Sequence, residues 1–84
     1  MPTPLTEGQR IATINTEYIE MDKLLKREDL AASGGEARYQ ISQGLVAVNG
    51  VQEMRKRRKL YAGDVVCFAG VEIRVEKEQP PVSH

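Results

Sequence analysis

The sequence feature that most constrains the fold is an Asn-Gly pair set between short valine-rich segments. Val46 and Val48 fall on one face of an extended segment, and Val51 follows directly after Asn49-Gly50. Asparagine and glycine tolerate the positive φ angles of a type I′ turn, the two-residue connection between neighbouring antiparallel strands. The pair therefore predicts a β-hairpin, with Asn49 and Gly50 shaping its turn.

The chain beyond residue 60 is also typical of an antiparallel sheet. Val65–Phe68 is an apolar segment bounded by the turn residues Ala62-Gly63-Asp64 and Ala69-Gly70. From Val71 to Val75, apolar residues alternate with charged ones, as in a strand with one face on the core and the other in water. These segments predict two further strands joined by tight turns.

Two short helices are predicted before the hairpin. The apolar residues of Met21–Glu28 recur at the i, i+3, i+4 spacing of a helix with one buried face. Ser33 and Glu36 have the spacing of a capping box, which marks the start of a second helix extending to about Gln43. Together these elements predict the α+β class, with two short helices packed on a small, mainly antiparallel β-sheet.

A length of 84 residues allows one domain with one small core. Residues 1–13 include a stretch rich in Pro, Thr, Gly and Gln, which predicts a flexible N-terminal arm. The adjacent prolines Pro80-Pro81 predict a flexible C-terminal tail over residues 78–84. The domain is therefore expected to span residues 14–77, beginning with a short strand over Ile14–Ile19.

The sequence pattern favours a cytoplasmic location. The apolar runs are too short to cross a bilayer, and no secretory signal pattern is present. Cys67 is the only cysteine, so no internal disulfide can form. We expect a cytoplasmic monomer that does not contact membranes.

The residues needed for catalysis or metal binding are missing. His84 is the only histidine, and Cys67 lies in an apolar segment with no histidine base nearby in sequence, so packing is its favoured role. No Cys or His cluster has zinc-ligand spacing, and Gly34-Gly35 lacks the Gly-Lys-Ser/Thr continuation of a phosphate loop. We expect no enzymatic activity, no metal and no cofactor.

The distribution of charge is uneven although the formal net charge is zero. Residues 23–59 contain nine basic and four acidic residues, a balance of +5, and the rest of the chain balances at −5. Within this stretch, Arg55–Lys59 is a run of five cations between two predicted strands. A solvated loop is one explanation of the run, and phosphate binding, which releases counterions, is the other. Tyr39 and Tyr61 could stack on bases, but partial burial in the core is favoured for both.

The order of these residues resembles the S-four-like RNA-binding domain, or αL motif. The resemblance covers about residues 18–68 and rests on Met21-Asp22-Lys23-Leu24-Leu25, Ser33 to Ala37, Val46-x-Val48-Asn49-Gly50 and Gly63-Asp64-Val65-Val66. The strings Ser-Gly-Gly-Glu-Ala-Arg and Arg-Lys-Leu-Tyr-Ala-Gly-Asp-Val-Val are similar to those of compact stand-alone bacterial proteins of the YbcJ/YaaA type.

The resemblance implies RNA contact by the two helices together with the basic loop after them. Because catalytic residues are missing, the loop is basic and aromatics are few, we expect a non-catalytic module that contacts the phosphate backbone of structured RNA. The candidate partners are ribosomal RNA, ribosome assembly intermediates and transfer RNA. The residues nominated as RNA contacts are Lys23, Lys26, Arg27, Arg38, Arg55, Lys56, Arg57, Arg58 and Lys59. The alternative is a protein-interaction adaptor whose basic face binds an acidic partner.

Overall fold

The computed structural model describes residues 8–79 of the chain. These residues form two helices and seven short strands. In chain order they are β1 (Gly8–Ile14), β2 (Ile19–Glu20), α1 (Met21–Arg27), α2 (Gly34–Ser42), β3 (Val46–Val48), β4 (Val51–Gln52), β5 (Lys59–Leu60), β6 (Val65–Phe68) and β7 (Val71–Lys77). The predicted α+β class is confirmed.

Five of the strands form one sheet in the order β1-β7-β6-β3-β4. The β7–β6, β6–β3 and β3–β4 pairs are antiparallel, and β1 and β7 form a parallel pair. The remaining strands, β2 and β5, make a separate two-residue antiparallel ladder in which Ile19 lies opposite Leu60. The main sheet is thus mainly antiparallel, as predicted, with one parallel edge strand.

The predicted hairpin joins β3 to β4. Asn49 and Gly50 have φ angles of 52° and 82°, the positive values that a type I′ turn requires. Val46 and Val48 are buried, whereas Val51 is exposed. The Asn49 side chain also bonds the next turn, because its Oδ1 accepts from the Val65 N–H at 2.9 Å.

Both helices begin close to the predicted residues and bury the predicted faces. Met21, Leu24 and Leu25 of α1 are fully buried, which explains the apolar spacing of this helix. At the start of α2, the Ser33 Oγ accepts a hydrogen bond from the Glu36 N–H at 3.1 Å. One apolar core joins the helices to the sheet. Its fully buried members include Leu24, Leu25, Ala37, Ile41, Leu60, Val66, Ile73 and Val75.

The N-terminal part of the domain differs from the sequence prediction. Residues 8–13, assigned to a flexible arm, form β1 together with Ile14, and the chain bends at residues 15–17. The strand predicted over Ile14–Ile19 is therefore wrong. β1 is an edge strand whose backbone pairs with β7, more than 60 residues later in the chain. Because β1 forms by pairing with so distant a strand, the residues of β1 show only a weak strand pattern in the sequence.

Residues 1–7 of the predicted arm and residues 80–84 of the predicted tail lie outside the described residues. At the predicted start of the tail, the Glu78 N–H donates to the Ile14 carbonyl at 2.7 Å, which links the residue after β7 to the end of β1.

Candidate nucleic-acid interface

The basic loop, Arg55–Lys59, is docked on the N-terminal end of α1. The first N–H groups of a helix have no partner within the helix, and the N-cap residue Glu20 provides no side-chain cap. The loop backbone satisfies two of these groups, because Met21 N–H donates to the Arg58 carbonyl at 2.9 Å and Asp22 N–H donates to the Lys56 carbonyl at 3.2 Å. The loop is therefore held against the helix by its own backbone, independently of its side-chain charges.

A buried glutamate at the start of the loop binds two of its arginines. Glu53 is only 8% exposed. Arg55 donates to both of its carboxylate oxygens, from Nη2 at 2.8 Å and from Nε at 3.0 Å, and Arg58 donates from Nη1 at 3.0 Å. These bonds, those from Arg55 first, lower the pKa of Glu53 to about 2 although burial acts in the opposite direction. The mutual repulsion expected of the five cations is thereby reduced at two of them.

A second buried carboxylate, Asp22, lies at the base of a cleft between α1, α2 and the basic loop. Its Oδ2 is 3.2 Å from Arg38 Nη1 and 4.0 Å from Arg57 Nε. The cleft, about 320 Å³ in volume, is lined by Glu20, Asp22, Lys23, Lys26, Gly34, Arg38 and Arg57. We call it the Asp22 cleft. Four cationic side chains from three elements thus converge on one concave site that contains two carboxylates.

Gly34 gives the guanidinium of Arg38 room within this cleft. A Cβ atom at position 34 would lie 3.1 Å from Arg38 Nη1, closer than most Cβ contacts in proteins. Because Arg38 follows Gly34 by one helical turn, its side chain lies over the first turn of α2 and reaches Asp22 on α1. The glycine after the capping serine therefore contributes to the position of one of the cations.

The other candidate RNA-contacting residues lie in different parts of the structure. Lys56 is exposed in the basic loop. Arg27, predicted to project together with Lys23, instead donates to the Thr13 carbonyl of β1 and lies outside the Asp22 cleft. Lys23 forms an ion pair with Glu20 at 3.1 Å. The contact of Arg27 ties α1 to β1.

An exposed aromatic pair lies beside the basic loop. The ring centres of Tyr18 and Tyr61 are 5.9 Å apart with an interplanar angle of 48°, and Lys59 Nζ is 4.8 Å from the centre of the Tyr18 ring. Tyr39 and Tyr61 are 64% and 48% exposed and neither belongs to the core, so the partial core burial favoured for both from the sequence is wrong. We call Tyr18 and Tyr61 the tyrosine pair.

Sequence reasoning missed three residues of this region: Asp22, Glu53 and Tyr18. A signal existed for Asp22, because it lies in the first turn of α1 beside the fully buried Met21. Glu53 also had a signal, since it stands two residues before a run of five cations. The exposure of Tyr18 had no comparable pattern, because it depends on the pairing of β2 with a strand 40 residues later.

The remaining chemistry of residues 8–79 is limited. This part of the chain contains no group of three or more His, Cys, Asp or Glu side chains placed to hold a metal ion. Nor does any helix within it have the length and apolar character needed to cross a membrane. Burial, followed by the charge of Glu72, raises the pKa of the half-buried Cys67 thiol. The thiol is therefore protonated at neutral pH and a poor nucleophile.

Comparison with known proteins shows which family the chain belongs to. A family model described as the S4 domain matches residues 12–76, more than half of the chain. The chain belongs to the S4 domain family. The resemblance drawn from the helix and hairpin residues is thereby confirmed.

Two curated relatives and one solved structure are similar to this S4 domain. The "Putative RNA-binding protein YbcJ" of Escherichia coli (strain K12) is 43% identical over 58 residues, covering 69% of this chain and 83% of the relative. The "Probable ribosome maturation protein RlbA" of Bacillus subtilis (strain 168) is also 43% identical over 58 residues, covering 69% and 82%. The solution structure of Escherichia coli YbcJ, described as revealing an αL motif involved in RNA-binding, matches with a TM-score of 0.62 and 33% identity, covering 88% of this chain and 90% of that one.

Proposed function

We propose that this protein is a non-catalytic RNA-binding module that contacts the phosphate backbone of structured RNA through the Asp22 cleft and the basic loop. The observation that carries the proposal is the convergence of Lys23, Lys26, Arg38 and Arg57 on one concave surface around a buried carboxylate. Arginine forks and lysine ammonium groups are the side chains that most often contact phosphate oxygens.

The geometry of the cleft supports phosphate binding over a merely solvated loop. Asp22 holds the guanidinium of Arg38 at 3.2 Å and lies 4.0 Å from that of Arg57. Arg57 nevertheless has a side chain that is 70% exposed, and that of Arg38 is 40% exposed. Asp22 therefore orients both guanidinium groups, and both remain accessible to solvent. Because the side chains are already ordered, they lose less entropy when a phosphate binds.

The relatives support RNA as the ligand and make ribosomal RNA the first candidate. One is named as an RNA-binding protein and another as a ribosome maturation protein. Crosslinking in cells followed by sequencing of the attached RNA tests the choice of RNA. We expect ribosomal RNA or its precursors to be enriched, and enrichment of transfer RNA alone would contradict the ribosomal assignment.

The backbone-contact proposal is tested by a salt titration of affinity for an RNA hairpin. The variant is Lys26→Ala/Lys56→Ala/Arg57→Ala, which removes three exposed cations and leaves the Glu53 ion pairs intact. Each lost phosphate contact is expected to reduce the slope of log affinity against log salt by about 1, so the slope should fall by about 3. Affinity should fall by a similar factor for hairpins of different sequence, because phosphates carry no sequence information.

The matched control is Lys77→Ala on β7. Lys77 is also an exposed lysine, but it pairs with Glu17 at 3.5 Å and does not line the Asp22 cleft. Its loss should leave the slope unchanged. Equal slopes for the wild type, the triple variant and Lys77→Ala would contradict phosphate contact by the cleft and favour an acidic protein as the partner.

A further inference from the structure

The tyrosine pair has no part in the phosphate contacts described above. We propose that the tyrosine pair forms a stacking platform for one unpaired nucleobase of the bound RNA, with the base on the ring of Tyr61 because the two rings are tilted by 48°. The inference rests on the proposed function and adds a second kind of contact to it. Phosphate contacts position an RNA, whereas a base stacked on an aromatic ring requires a nucleotide that has left its helix.

The fold itself turns both rings toward solvent. In the β2–β5 ladder, Ile19 lies opposite Leu60, so Tyr18 and Tyr61 flank this pair just outside the ladder. Successive side chains of a strand point to opposite faces. Because Leu60 is fully buried, the two tyrosines face outward, where they are 38% and 48% exposed. The pair is thus presented together by a fixed backbone.

The charge next to the rings matches a nucleotide. Lys59 Nζ lies over the Tyr18 ring, 4.8 Å from its centre, so a cation covers part of one face of that ring next to Tyr61. An aromatic ring with an adjacent cation is complementary to a base and its phosphate, as in proteins that bind unpaired nucleic acid. Lys59 also belongs to the basic loop, so the platform is continuous in sequence with the proposed phosphate contacts.

A surface hollow connects Tyr18 to the Asp22 cleft. The hollow has a volume of about 490 Å³ and is lined by Thr16, Tyr18, Ile19, Glu20 and Lys23. Glu20 and Lys23 also line the Asp22 cleft. One RNA strand can therefore contact both sites, with phosphates at the cleft and an extruded base at the platform. The expected ligand is a helix interrupted by an unpaired nucleotide.

A purely structural role is the competing explanation, because aromatic cross-strand pairs stabilise short ladders. Phenylalanine retains the ring and leucine removes it, so paired substitutions separate the two roles. Tyr61→Leu changes the more exposed ring, and Tyr18→Phe/Tyr61→Phe is its matched control. Thermal melting of each variant reports on stability independently of RNA binding.

The experiment compares two RNA hairpins that differ by one unpaired 2-aminopurine nucleotide in the stem. We expect the wild type to bind the bulged hairpin about tenfold more tightly than the fully paired one and to quench the 2-aminopurine fluorescence. The double phenylalanine variant should retain both effects. Tyr61→Leu should lose most of the preference and the quenching, while its affinity for the fully paired hairpin and its salt slope stay unchanged.

Each other result counts against a specific claim. Equal wild-type affinity for the two hairpins would overturn the platform and leave the proposed function standing. Quenching that persists in a folded Tyr18→Leu/Tyr61→Leu variant would also overturn the platform. If Tyr18→Leu/Tyr61→Leu does not fold, Tyr61→Leu takes its place. An undiminished preference of Tyr61→Leu for the bulged hairpin would then overturn the platform. Binding to neither hairpin would overturn the proposed function and the platform together.

Discussion

Replacing Glu53 with glutamine tests whether a buried carboxylate organises the basic loop. Glu53 accepts five hydrogen bonds, from the side chains of Arg55 and Arg58 and from the N–H groups of Met54 and Arg55. Glutamine has nearly the same shape but carries no charge, and one of its two terminal atoms becomes a donor. In Glu53→Gln, an NH₂ group would therefore face guanidinium donors.

The magnitude follows from the pKa of Glu53, which folding lowers from 4.5 to about 2. One pKa unit corresponds to about 1.4 kcal/mol, so the full shift corresponds to roughly 3 kcal/mol. The side chain of Arg55 is 73% exposed, and exposed ion pairs contribute less because water screens them. We expect Glu53→Gln to lower the free energy of unfolding by about 1–2 kcal/mol at pH 7, or the melting temperature by about 5–15 °C.

The pH dependence gives the prediction a second signature. Because folding lowers the pKa, the stabilisation by Glu53 is complete above about pH 4.5 and is lost as the pH falls toward 2. Urea denaturation of both proteins at pH 7, 4 and 3 measures the difference in their free energies of unfolding. That difference should be largest at pH 7 and should shrink between pH 4.5 and 2.

Glu76→Gln is the matched control. Its carboxylate is 45% exposed and lies 4.0 Å from Arg74, so its loss should change the free energy of unfolding by less than about 0.5 kcal/mol. Equal stability of the wild type and Glu53→Gln at pH 7 would refute the reasoning. A loss that stays constant from pH 7 to pH 3 would refute it as well, because a charge-independent packing defect would then explain the effect.

Two further predictions concern the turns of the sheet and are tested by thermal melting. Gly50→Val should lower the free energy of unfolding by about 1–2 kcal/mol, because a β-branched residue is strained at a φ of 82°; an unchanged melting temperature would argue against the type I′ turn. Ala69→Asn should raise it by about 0.5–1 kcal/mol, because Ala69 is exposed with a φ of 54° and asparagine tolerates this conformation better; a lower melting temperature would contradict the assigned backbone.

Elements with a complete local signal were predicted well. The i, i+3, i+4 spacing of Met21–Glu28 and the capping residues Ser33 and Glu36 locate the two helices within one or two residues. The Asn49-Gly50 turn is formed because few residue pairs accept two consecutive positive φ angles. β1 was missed because its hydrogen-bond partner is β7 and its polar residues Gln9, Arg10 and Thr13 hide the buried positions Ala12 and Ile14.

The candidate site was predicted as a set of cations, without their arrangement. The family resemblance nominated Lys23, Lys26, Arg38 and Arg57, which line one cleft, but it also nominated Arg27, whose guanidinium bonds to β1. It treated the five loop cations as equivalent, whereas two of them bind Glu53 and Arg57 lies near Asp22. The sequence gives the number and order of the charges. Which of them form ion pairs depends on which helices, strands and loops come together in the fold.

The sequence by itself determined the helices, the turns and the presence of a basic loop, because these depend on side-chain periodicity and backbone preferences within a few residues. Only the tertiary structure decided that Asp22, Arg38 and Arg57 meet, since these residues come from α1, α2 and the loop. It likewise decided that Tyr18 and Tyr61 share one exposed surface. The physical reason is that ion pairing and ring contact act over a few ångströms in space, whatever the separation along the chain.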